Sequence, residues 1–123
     1  MCKVLMSINP EYVDKILAGT KKYEFRKTKC KRNVSEIIIY STAPVSRVVG
    51  KVKVKNVIEE NLDMLWYITK DFSGIEYEFF KKYYDGKEKG AAYQLGEVTI
   101  FKQPKKLDYY GVKVAPQSFV YID

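Results

Sequence analysis

Histidine is missing from this 123-residue chain. That removes the side chain that most often serves as general acid or base near neutral pH and most often ligates metals. It also makes a Ser-His-Asp or Cys-His site impossible. Cysteine is scarce: Cys2 and Cys30 make neither a disulfide framework nor a zinc spacing. Carboxylates alone could still hold a metal, but no spacing points to one, and no cofactor is expected. No run approaches the roughly 18 apolar residues of a membrane helix, and the opening residues lack the apolar core of a secretory signal. The expectation is a cytoplasmic protein with both thiols reduced and no membrane partner. The 7 glycines and 4 prolines form no linker, repeat or low-complexity tract. No Gly-rich loop precedes a helix as nucleotide phosphate cradles require.

What is present fits one domain over residues 1–123, long enough to bury a core without staples. The content is 46% hydrophobic and 30% charged, as in an ordinary globular protein. The net charge of +7 is unevenly spread. Residues 1–56 carry 13 Lys+Arg against 4 Asp+Glu, whereas residues 57–123 carry 9 against 11. A basic half on a near-neutral remainder is the footprint of a protein that meets phosphates. Charge for solubility alone is the competing reading.

The pattern predicts a strand over 3–8, then a short helix with Asn9 as N-cap, Pro10 at its first position and Gly19 as its left-handed stop. Ile8 and Val13 stand at the spacing of a hydrophobic staple. A strand through Tyr23-Glu24-Phe25-Arg26 alternates aromatic and charged faces, leaving the direction of Lys21 unfixed. Residues 27–32 read as a basic loop. The apolar run Glu36-Ile37-Ile38-Ile39-Tyr40 reads as a strand covered on both faces. Val48, Gly50, Val52, Val54 and Ile58 keep period two against Lys51, Lys53 and Lys55, a half-buried strand.

Period 3.6 takes over with Leu62, Leu65 and Trp66. A capping box at Ser73-Gly74-Ile75-Glu76 then introduces Phe79, Phe80, Tyr83 and Tyr84. That aromatic stripe is expected to pack, though exposed it would suit a protein partner. Tyr93 and Leu95 alternate out of phase with Val98 and Ile100, which puts a β-bulge at Gly96-Glu97. Residues 117–122 read as a closing strand. The sum is an α+β protein: a small mixed β-barrel of about six strands, closed or nearly so, with a short helix after strand 1 and a helical pair before strand 5.

The run Gly19-x-Lys21-x-x-Glu24-x-Arg26, directly after the first helix, resembles the signature of the ASCH domain (activating signal cointegrator homology), a branch of the PUA-like barrels. The likeness extends to Ser7-Ile8-Asn9-Pro10, Ile39-Tyr40-Ser41-Thr42-Ala43-Pro44 and Pro116-Gln117-Ser118-Phe119, so it covers nearly the whole chain. The resemblance implies a PUA-like barrel with a cleft lined by the signature residues, and a role in RNA binding or metabolism. Some relatives are similar to ribonucleases, and one branch hydrolyses N4-acetylcytidine. That branch carries a Thr nucleophile where this chain has Glu24, and a carboxylate cannot repeat a hydroxyl's acyl transfer by the same steps.

The residues themselves permit two chemistries. An Arg can grip phosphate through two parallel hydrogen bonds and a Lys supplies a mobile point charge. A Glu between them can accept from an exocyclic amine or serve as a base. Lys21, Glu24 and Arg26 are therefore candidates for RNA or nucleotide binding. In the alternative of a histidine-free ribonuclease or amidohydrolase they are the candidate catalytic residues. Lys29, Lys31, Arg32 and Arg47 are candidates for phosphate tracking, and Ser41, Thr42, Gln117 and Ser118 for polar nucleic-acid contacts. Tyr93 and Tyr40 are candidates for base stacking. Cys30 reads as a bystander thiol. Structural roles compete at each position: an exposed Glu24–Arg26 pair across the strand would contribute only about 0–1 kcal/mol.

Overall fold

The computed structural model describes residues 2–122. Among them run β1 (Cys2–Ile8), α1 (Pro10–Ala18), β2 (Tyr23–Arg26), β3 (Val34–Ser41), β4 (Arg47–Asn61), α2 (Leu62–Thr69), α3 (Tyr77–Tyr83), β5 (Lys89–Lys105) and β6 (Phe119–Tyr121). Single 3₁₀ turns at Lys70–Phe72 and Leu107–Tyr110 follow α2 and β5. The strands form one curled sheet in the order β2-β5-β4-β3-β1-β6. β1 and β3 are parallel, and the other neighbours are antiparallel.

The local signals act as expected. Asn9 Oδ1 accepts the Glu11 N–H at 3.0 Å, and Pro10 opens α1. Gly19 closes it at φ +83°, its N–H bonded to the Ile16 carbonyl. This stop turns the chain at once into β2. β3 is covered on both faces. Ile37 and Ile39 join the barrel interior with Val4, Met6, Val52 and Leu95. Ile38 and Tyr40 pack on the far side with Leu5 and Val48, beneath Leu107, Tyr110 and Val120. In β4 and β5, Val52 pairs with Val98 but Val54 with Leu95. Two residues on β4 thus span three on β5, so the extra residue falls at Gly96-Glu97, where the phase slips.

Three expectations need correction. Ser73 does not cap α3: Glu76 is the N-cap without a side-chain bond, and the Ser73 hydroxyl donates to the Ile75 carbonyl at 2.9 Å. β6 starts at Phe119, because residues 116–118 bond instead to Ser7. The Ser7 N–H donates to the Ser118 carbonyl, and its hydroxyl to the Pro116 carbonyl. The aromatic stripe is split. Phe80 and Tyr84 are buried with Phe25, Leu65 and Ala92, which removes the four-ring exposed surface a protein partner would have used. Phe79 stays partly exposed.

The curl brings β2, one edge of the sheet, back towards β1 and β6 at the other. No strand pairing is recorded across that seam among the described residues. One guanidinium bridges it. Arg26 Nη1 donates to Ser118 Oγ at 3.0 Å, and Nη2 to the Ser7 carbonyl at 3.2 Å.

Candidate functional site

A cleft of about 160 Å³ opens beside this bridge, lined by residues from β1, α1, β2 and α3. Lys21, Glu24 and Arg26 all line it. Backbone bonds fix the turn that delivers Lys21. The Thr20 and Lys21 N–H groups share the Lys15 carbonyl, and the Lys22 N–H donates to the Phe72 carbonyl at 2.9 Å. The Lys21 side chain is thereby turned inward and is only 3% exposed. Its Nζ donates to the Ser73 carbonyl at 2.7 Å and stands 4.9 Å from the Phe25 ring centroid. Gly74 is required here: at φ +71°, a Cβ on it would lie 2.6 Å from the Lys21 stem.

Burial pushes the Lys21 ammonium pKa down to about 8. The Glu24 carboxylate opposes that shift, and the Lys15 and Arg26 charges add to it. A lysine lowered to about 8 gives up its proton more readily than an ordinary lysine, with no histidine in the chain to do so. Glu24, on the strand face opposite Tyr23 and Phe25, pairs with Arg26 Nη2 at 2.9 Å, both side chains largely buried. Both terminal nitrogens of Arg26 are therefore engaged, so the two-pronged phosphate grip expected from the sequence is occupied by the seam. Its Nε is buried and meets no acceptor among the described residues.

The walls include residues the sequence did not single out for the site: Tyr12 from α1, Phe79 and Tyr83 from α3, Ile75, Ser7 from β1 and the N-cap Asn9. Helical periodicity assigned Phe79 and Tyr83 to packing, and nothing in the spacing separated them from Phe80 and Tyr84. The remaining candidates scatter. Ser118 joins the site through Arg26. Lys29, Lys31 and Arg32 line a separate groove. Ser41 is buried at the end of β3, and Thr42 starts the turn after it; neither lines the cleft. Arg47 is exposed and donates to the adjacent Ser46 carbonyl, and Gln117 is exposed outside the cleft. Tyr40 is buried in the far-side core. Tyr93 offers no ring face for stacking: it is 1% exposed and its hydroxyl accepts the Cys30 N–H at 2.8 Å. Burial pushes the Cys30 thiol pKa up, as befits a bystander.

Among the described residues no cluster of three or more His, Cys, Asp or Glu is placed to hold a metal. No helix among the described residues is long and apolar enough to cross a membrane.

A curled six-stranded sheet with a helix after its first strand and a charged cleft at its seam defines a PUA-like fold. The ASCH domain profile matches residues 6–101, and the chain belongs to the ASCH domain family. The crystal structure of ASCH from Zymomonas mobilis superposes with a TM-score of 0.89 at 25% identity, over 98% of this chain and 87% of that one. The chain is 28% identical over 94 residues to an ASCH domain-containing ribonuclease of Zymomonas mobilis, covering 76% of this chain and 64% of that protein. It is likewise 28% identical over 98 residues to the large ribosomal subunit protein uL22 of Ureaplasma parvum serovar 3, which involves 80% of this chain. The chain spans only 32% of that uL22 protein's length.

Proposed function

We propose that this ASCH domain binds RNA or a nucleotide through the cleft formed by Lys21, Glu24 and Arg26. The carrying observation is their convergence on one small concavity walled by aromatic rings. Its volume is below the roughly 300 Å³ where drug-sized pockets begin, so a single base or similarly small planar group is its natural occupant. Tyr12, Phe79 and Tyr83 supply apolar and ring contacts, Glu24 accepts from an exocyclic amine, and Lys21 answers a negative charge. A relative named an ASCH domain-containing ribonuclease favours the same reading.

The test is binding of mononucleotides and RNA at low salt to the native protein and to Glu24→Gln. The expected result is measurable binding that weakens at least several-fold in the variant. Equal binding by both proteins would refute the cleft.

A second reading, turnover in the same cleft, is favoured by the Lys21 pKa near 8. For RNA cleavage, Glu24 would take the proton of the attacking 2′-hydroxyl as its oxygen bonds to phosphorus and the P–O5′ bond breaks, while the Lys21 ammonium would stabilise the developing charge and give a proton to the departing 5′-oxygen. Hydrolysis of an acylated nucleoside such as N4-acetylcytidine would need a water activated by Glu24 instead of a hydroxyl nucleophile. Incubation with labelled RNA and with acetylcytidine, followed by chromatography, decides: products that vanish in Glu24→Gln support turnover, and intact substrates with native protein refute it.

A further inference from the structure

The cleft does not end at Arg26. Arg26 and Tyr83 also line a second cavity of about 160 Å³ on the far side of the seam bridge. That cavity shares Cys30 and Tyr93 with a third, of about 270 Å³. The three concavities thus follow one another along the basic loop after β2. Their character changes along the way. The first is walled mainly by rings and apolar groups and contains Glu24. The third is lined by Lys29, Lys31, Arg32 and Lys55, with no Asp or Glu among its lining residues. Lys29, Lys31 and Lys55 are exposed, and the Arg32 guanidinium lies 4.2 Å over the Tyr121 ring, which holds its direction. Between the two ends, Lys27 stands 5.2 Å over Tyr83, the ring at the junction.

Resting on the proposed nucleotide-binding cleft, we infer that the third groove is a backbone subsite for the same ligand, and that the ligand is a single-stranded oligonucleotide rather than a free nucleotide. The ring-walled cleft takes one splayed base. The lysine groove takes the phosphates of the nucleotides that follow. A basic groove tracking the backbone beside an aromatic platform is how sequence-tolerant single-strand binding is built. A duplex fits poorly, because a base must leave its stack to enter a cleft this narrow.

The experiment measures affinity for a mononucleotide and for single-stranded RNAs of increasing length, across a range of salt. Three proteins are compared: the native chain, the triple variant Lys29→Ala/Lys31→Ala/Lys55→Ala, and a control triple Lys102→Ala/Lys106→Ala/Lys113→Ala with the same net charge. All six positions are exposed. Native affinity is expected to climb with length, with a log–log salt slope of about 0.7 per phosphate engaged. The groove variant is expected to lose that climb and about two units of slope, while its mononucleotide affinity stays native. The control is expected to keep both. Equal losses in the two triple variants, or a native affinity that does not rise with length, would overturn the groove and leave the cleft standing. Length-dependent binding that the groove variant loses, with no mononucleotide binding by the native chain, would refute the cleft and keep the groove.

Discussion

The centre of the sheet and its seam are held together by different forces. At the centre, β3 and β4 pair through an antiparallel ladder with one register shift at Ile39/Tyr40, and apolar side chains cover both faces of β3. At the seam, no strand ladder joins the edges among the described residues, and a largely buried guanidinium bonded to Glu24, Ser7 and Ser118 spans the gap. Ladders and apolar packing leave the centre close-packed, whereas a single polar bridge leaves concave space beside it. The cleft and its neighbouring cavity both open at Arg26 for that reason. Closure and recognition are thus placed on the same charged residues.

The contrast can be broken most severely at Arg26. Arg26→Ala should cost about 3–5 kcal/mol, since it leaves the Glu24 carboxylate buried without its partner. Hydrogen exchange should show faster opening of β2 and β6 than of the central β3 and β4. Ile39→Ala, in the centre, should cost about 2–5 kcal/mol in denaturant titrations, yet leave ligand affinity native wherever the protein is folded. A destabilised protein that still binds normally would set centre and seam apart.

Lys21→Met sharpens the electrostatic side. The folded-state pKa of Lys21, about 8, lies below its unfolded value of 10.5. Below pH 8 both states carry the proton, and the folded state bears the full cost of burying it. Between pH 8 and 10.5 the unfolded state binds more protons, so stability rises with pH. Native protein should therefore gain up to about 3 kcal/mol relative to Lys21→Met across that window. Anion affinity should fall as the ammonium discharges above pH 8. The smallest effect is expected for Ser118→Ala, which removes one arm of the bridge and should cost about 1 kcal/mol in urea titrations.

Much of this architecture is legible in the chain because the signals are local. Asn9, Pro10 and Gly19 set a helix and its exit, the run through Ile39 announces a strand buried on both faces, and the phase slip at Gly96 marks a bulge. The site is legible only in part. The alternation from Tyr23 to Arg26 puts Glu24 and Arg26 on one face, but parity is silent on Lys21, whose course depends on carbonyls of Lys15, Phe72 and Ser73. Which rings of α3 face the cleft depends on how the helical pair docks, and spacing does not encode that. Ser118 illustrates the same limit: its hydroxyl acts at the site because the sheet curls 92 residues of chain back onto Arg26.

The most direct measurement is an NMR titration of native protein with nucleoside monophosphates, following backbone amides and the Lys21 ammonium resonance. Shifts concentrated at Tyr12, Lys21, Glu24 and Phe79 are the result expected of a cleft that takes one nucleotide. Shifts absent there, or confined to the opposite face around Leu107 and Tyr110, would contradict it.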